Sequence, residues 1–237
     1  MPETLRIGVL LLPPIQLLDI APVDLFSMTS KEYLTLCGLP SPITNLGLEV
    51  SITYICPDSS LKMAECTASA AMRVNASLDS KSVAPGTLDI LLIPGPPPDS
   101  KPDEDSKAFL RAHAEYQKAT VMTVCTGIYL GGYAGILDGK NVTGPRALVP
   151  QLKKLFPQAT FEDKRWVVDG NIWSSGGITN GQDMVAAYLR QKWPGPMTDM
   201  VCAMADVGDR GQEYGSSKAS ESVWVVWQII RAFFRSK

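Results

Sequence analysis

Short runs of apolar and β-branched residues alternate along this chain with segments of helical period, and that alternation restricts the fold more than any other feature. LRIGVLLL (5–12), LEVSITYIC (48–56), LDILLIPG (88–95) and TVMTVC (120–125) read as strands, with AMRVNAS (71–77) a shorter one. Between them, the period predicts a helix from about Asp19 through DIAPVDLFSM, with Pro22 in its first turn, and another over 104–118 behind the acidic loop PPPDSKPDED. Strands that alternate with helices in this way form a parallel sheet covered by helices on both faces. With 237 residues and 45% apolar content the chain can bury a sizeable core. There is no internal repeat and no linker, so one domain over 1–237 is expected, its core at about 5–192.

TGIYLGGYAGILDG (126–139) reads as a helix closed by Gly139, QLKKLF as a short helix, and RWVVDG with NIWSSGG as a hairpin. NGQDMVAAYLRQKW is an amphipathic helix, and residues 196–237 form a helical extension. Within it ESVWVVWQIIRAFF is apolar on nearly every side, which suits either core packing or a dimer interface; a homodimer is expected.

A formal charge of −2, without clustered Lys and Arg, argues against nucleic acid as a partner. No apolar run approaches the roughly 20 residues a bilayer crossing needs, and MPETLRIGVLLLPPI lacks the basic lead and cleavage site of a signal peptide; no membrane partner is expected. Cys37, Cys56, Cys66, Cys125 and Cys202 are odd in number and form no Cys-x-x-Cys pair, and the chain has one histidine. The set fits a reducing, cytoplasmic setting with no metal site and no disulfide framework.

Cys125 stands where the strand TVMTVC turns into a helix beside Gly127, Gly131 and Gly132. A sharp strand-to-helix turn lifts such a side chain above the sheet next to the free N–H groups of the helix, which favour thiolate over thiol. The other four cysteines read as structural thiols. His113 shares a helical face with Phe109, Ala112 and Tyr116 and should lie far from the carboxyl edge of the sheet, so it reads as a packed residue. Reactive groups in open α/β sheets gather beyond the strand carboxyl ends. The loops after Leu12 and Pro94, the turn at Cys125 and the segment Ser175 to Thr179 should therefore meet. Asp19, preceded by Leu17 and Leu18, should have a raised pKa and serve as acid/base, the structural alternative being a helix cap; Asp24 reads as a helix residue.

LLDIAP, LLIPG, TVCTGIYLGGYAGILDG and VVDGNIWSSGGITNGQDM, in this order, resemble the ThiJ/PfpI superfamily. The resemblance implies a flavodoxin-like three-layer α/β sandwich, commonly dimeric. Thr126 after the cysteine, with an aspartate in the first loop, is similar to the isocyanide hydratase branch. Carried over by position, Cys125 is the nucleophile, Asp19 the acid/base, and Thr126 offers its N–H or hydroxyl to substrate. Gly95, Pro96, Gly127, Gly176, Gly177 and Ile178 would contact the substrate. Two places depart from relatives. Pro96 replaces a glycine whose N–H normally faces the cysteine, which costs an oxyanion donor worth ~3 kcal/mol. TGPRALVP lacks a pocket-wall histidine or tryptophan, and leaves Arg146 to meet an anion or cap a helix.

The implied activity is a cofactor-free lyase on a small electrophile: the thiolate attacks an isocyanide carbon, Asp19 delivers a proton, and a water that Asp19 activates releases an N-substituted formamide. Charge then collects on nitrogen, which is compatible with Pro96. Glyoxalase-like, hydro-lyase or isomerase chemistry on another small metabolite, and a non-enzymatic thiol sensor with a low-pKa cysteine, are the alternatives.

Overall fold

The computed structural model describes residues 4–216 and 218–235. In chain order the strands are β1 (Thr4–Leu10), β2 (Glu49–Ile55), β3 (Met63–Glu65), β4 (Ala71–Arg73), β5 (Ile90–Ile93), β6 (Thr120–Val124), β7 (Asn141–Val142), β8 (Thr160–Phe161), β9 (Trp166–Asp169) and β10 (Ile172–Ser175). The α-helices are α1 (Ala21–Met28), α2 (Lys31–Leu36), α3 (Ser41–Thr44), α4 (Glu104–Glu115), α5 (Gly127–Ala134), α6 (Val149–Leu155), α7 (Thr179–Lys192), α8 (Pro196–Met204) and α9 (Lys218–Arg235).

Six strands form one sheet in the order β2-β1-β5-β6-β10-β9, parallel except where β9 pairs antiparallel with β10. That last pair is the expected hairpin, turned through Gly170 at φ 63°. β1 has β2 on one side and β5 on the other, so the chain reverses its direction of progress across the sheet beside β1, where ligand crevices open in such folds.

Alternate residues of the central strands feed two cores. Ile7, Val9, Leu92, Met122 and Val124 pack with Phe26 of α1 and with Met184 and Leu189 of α7. Leu10, Leu91, Ile93 and Val121 pack on the other face with Leu110 of α4, Ile128 and Tyr129 of α5 and Leu152 of α6. Strands buried on both faces have no polar side to show, which explains why they read as near-continuous apolar runs.

Three expectations are corrected. The helix after Cys125 ends at Gly135, which takes the left-handed C-cap at φ 77°, four residues before Gly139. α1 begins at Ala21, two residues after Asp19, which lies instead in a single 3-10 turn and caps nothing. The carboxyl-terminal region is not continuously helical: residues 206–216 form an extended strap between α8 and α9.

Residues 223–232 of α9 are not packed into a core. Val223, Trp224, Val226 and Ile229 are each more than half exposed. Among the described residues no helix is long and apolar enough to cross a membrane. Because residues 223–232 bury so little against the body, deletion of the chain from Val223 onward is predicted to move the melting temperature by less than about 2 °C, a change that corresponds to under ~1 kcal/mol for a chain of this size. A larger loss in differential scanning calorimetry would mean that the helix is covered.

Candidate active site

The four expected loops do meet at the carboxyl edge. Gln16 donates its backbone N–H to the Gly95 carbonyl at 2.9 Å, joining the loops after β1 and β5. Cys125 donates its N–H to the Gly176 carbonyl at 3.2 Å, joining the turn after β6 to the loop after β10. The Thr126 hydroxyl donates to the Pro96 carbonyl and closes the ring.

At the centre Cys125 has φ 55°, a left-handed conformation unusual outside glycine. The strained turn persists because its neighbours leave no alternative. A Cβ on Gly127 would lie 2.1 Å from the Ile93 carbonyl oxygen, so only glycine lets the start of α5 sit against β5. Gly127 thus serves close packing at the turn. Ile178, the residue before α7, is also at positive φ, 48°, where a β-branched side chain is rarer still. Both strained residues border one cluster of groups, which makes the cluster the candidate functional site.

Asp19 is fully buried. Its Oδ2 accepts the Gly95 N–H at 3.2 Å, and its Oδ1 has no hydrogen-bond partner. A Cβ on Gly95 would lie 2.5 Å from Asp19 Oδ2 and 2.3 Å from Thr126 Oγ1, so that glycine keeps the carboxyl group and the threonine in place. Burial pushes the Asp19 pKa up to about 6, against the opposing pull of the Cys125 thiol and the Gly95 and Ile178 N–H groups. Leu18 contributes little to that dryness, being half exposed.

Cys125 is partly exposed. Burial pushes its thiol up to about 11, the nearby Asp19 charge adds to the rise, and the Thr126 backbone N–H offsets part of it. The expected resting thiolate is therefore corrected: desolvation outweighs the amides at the helix start. At neutral pH the pair consists of a thiol and a carboxylate. Such a pair suits base-assisted addition, with the carboxylate taking the thiol proton as sulfur attacks.

Thr126 directs both its N–H and its hydroxyl at the sulfur, and the hydroxyl also donates to the Pro96 carbonyl. Gly177 borders the sulfur, since a Cβ there would lie 3.9 Å from Sγ. Gly176 is buried and packs against Asn180 and Tyr214. Arg146 turns to Asp163, which it holds with Nε and Nη2 at 2.7 and 2.8 Å, and stacks 4.3 Å from the Tyr214 ring centre. His113 is fully buried on α4, with its ring nitrogens 2.8 and 3.1 Å from the carbonyls of Phe109 and Val83. A separate cavity of about 620 Å³ over α4, lined by Asp79, Asp103 and Phe109, includes none of the groups around Cys125. Asn180 and Tyr214, which adjoin the site, were not legible beforehand; only the tertiary course of the strap brings the tyrosine there.

The sequence model described as the DJ-1/PfpI family matches residues 29–191. The chain is 30% identical to isonitrile hydratase of Pseudomonas putida over 189 residues, 79% of this chain and 72% of that protein. Among solved structures it is similar to Drosophila melanogaster DJ-1beta, with a TM-score of 0.67 and 15% identity over 87% of this chain and all of the other. A ThiJ/PfpI family protein from Pseudomonas syringae has a TM-score of 0.64 and 16% identity over 97% of this chain and 88% of its own. At these identities the solved structures speak for the fold alone.

An unfolded chain releases the Asp19 proton near pH 3.8, whereas the folded one holds it to about pH 6. The carboxyl group therefore weakens the fold as pH climbs through that window, and above it the full penalty stands, about 2–3 kcal/mol. Asp19→Asn is predicted to be more stable than the parent by up to that amount at pH 7.5 and to lose the advantage at pH 4. Urea denaturation at the two pH values checks this; an equal difference at both would contradict it.

Proposed function

Since the chain belongs to the DJ-1/PfpI family, we propose that it is a cofactor-free hydratase that converts a small isocyanide to an N-substituted formamide, with Cys125 as nucleophile and Asp19 as acid/base. The observation that carries this reading is the buried Asp19 carboxyl group, with one oxygen left unpartnered, beside the thiol of a strained strand-to-helix turn. The similarity to isonitrile hydratase points the same way.

In the proposed cycle the Asp19 carboxylate accepts the thiol proton while Sγ bonds to the terminal isocyanide carbon. The proton is then returned to that carbon, which leaves a thioimidate. Water adds to the thioimidate carbon, Asp19 taking one of its protons and passing it to nitrogen. The C–S bond breaks, the hydroxyl proton goes to the departing sulfur through Asp19, and the formamide leaves. No step places negative charge on a substrate oxygen that lacks a counter-charge, so Pro96, which has no N–H, is no obstacle.

A thiol pushed up to about 11 is a poor peroxide sensor, because the thiolate is the form that is oxidised. That weighs against the redox-sensing alternative. Pro96 and the absence of a pocket histidine weigh against glyoxalase-like turnover.

Cys125→Ala and Asp19→Ala are each predicted to lower formamide production from a small alkyl isocyanide by at least about 100-fold with an unchanged circular dichroism spectrum. The parent rate should rise with pH through about 6, as Asp19 becomes a base. Turnover by the alanine variant of the cysteine rules out the covalent route, and lactate from methylglyoxal in place of formamide favours the glyoxalase reading.

A further inference from the structure

The strap of residues 206–216 lies outside the segment matched by the family model, yet it is tied to the site at several points. Arg210 grips the buried Asp183 of α7 with Nε at 3.0 Å and Nη2 at 2.6 Å. The Gln212 carbonyl accepts the Arg165 N–H at 2.7 Å, and the Glu213 carbonyl accepts Arg165 Nε at 3.2 Å. Tyr214 then sits with its ring 4.3 Å from the Arg146 guanidinium and 5.2 Å from that of Arg165, while its hydroxyl accepts from Asn180 Nδ2 at 3.0 Å.

The ties through Arg165, Asn180 and Tyr214 converge on Gly176. Its N–H donates to the Arg165 carbonyl at 2.8 Å, and its own carbonyl accepts the Cys125 N–H. A Cβ at Gly176 would lie 2.6 Å from Asn180 Nδ2 and 2.8 Å from the Tyr214 hydroxyl, so tyrosine and asparagine fill the space that a side chain would need. The next two residues face the chemistry: Gly177 borders the sulfur, and Ile178, at φ 48°, turns its N–H toward Asp19. The Gly176–Ile178 loop is thus held on one side by the strap and touches nucleophile and base on the other.

We propose that Tyr214 is a positioning residue, and that the strap clamps the Gly176–Ile178 loop shut over Cys125 and Asp19, fixing the nucleophile's backbone and keeping water from the pair. The proposal rests on Cys125 as the reactive centre. A tie that merely stabilised the fold would act on every buried group alike. A clamp acts on Cys125 selectively.

The test is alkylation of the full chain by iodoacetamide between pH 7 and 10, read peptide by peptide in mass spectrometry, with the exposed Cys37 as internal reference. Releasing the loop admits water to the thiol and favours thiolate, so Tyr214→Ala should raise the Cys125 alkylation rate about tenfold across this range. Cys56, Cys66 and Cys202, which are buried elsewhere, should keep the parent's protection. Tyr214→Phe keeps the ring beneath the guanidinium groups but loses the bond from Asn180, and should give a smaller rise of about threefold. If Tyr214→Ala unfolds, all buried cysteines react together and Tyr214→Phe decides the matter. A Cys125 profile that matches the parent in a folded variant overturns the proposal. Alkylation reports the thiol and not turnover, so a chain inactive toward isocyanides can still pass, and an active one can still fail.

Discussion

A carboxyl group and a thiol occupy one nearly dry corner of this protein, and the surrounding structure is arranged to keep them there. Burial disfavours the charged form of each and raises both pKa values. The parallel sheet makes the corner possible. Its reversal of strand order beside β1 opens a crevice between the loops after β1 and β5. Gly95 and Gly127, where no side chain fits, let those loops close on the turn at Cys125.

The energetics and the chemistry of the corner are linked. Desolvation raises Asp19 into the range where a carboxyl group can both take and return a proton near neutral pH. The same desolvation keeps the thiol protonated beside the Asp19 carboxylate. A protonated thiol of that kind is quiet toward casual oxidants. The corner is maintained at a cost in stability, visible in two non-glycine residues at positive φ and in a buried carboxyl oxygen without a partner.

Much of this was legible in the sequence because the signals are local. Uniformly apolar runs such as LDILLIPG mark strands buried on both faces, and a cysteine between TVMTV and a glycine-spaced helix marks the sharp turn. Asp19 was legible from its place in the loop after the first strand. What could not be read depends on tertiary course or on a balance of opposing effects. The protonation of Cys125 turns on burial winning over helix-start amides, which no spacing discloses. Gly135 rather than Gly139 ends α5, since both glycines satisfy the same local rule. The strap reads as part of a helical extension until its contacts with Arg165, Asp183 and Asn180 are seen. Family motifs offered no help there, because the matched segment ends at residue 191.

The central claim is that Asp19 is buried beside Cys125 and remains protonated well above the ordinary range for a carboxyl group. Carbon-13 NMR of aspartate-labelled protein, followed from pH 3 to 8, tests it without reference to any substrate. The account predicts one carboxyl resonance, absent from Asp19→Asn, that titrates near pH 6. If every carboxyl resonance titrates below about pH 5, Asp19 is an ordinary carboxylate that burial does not raise, and the account of the corner is contradicted.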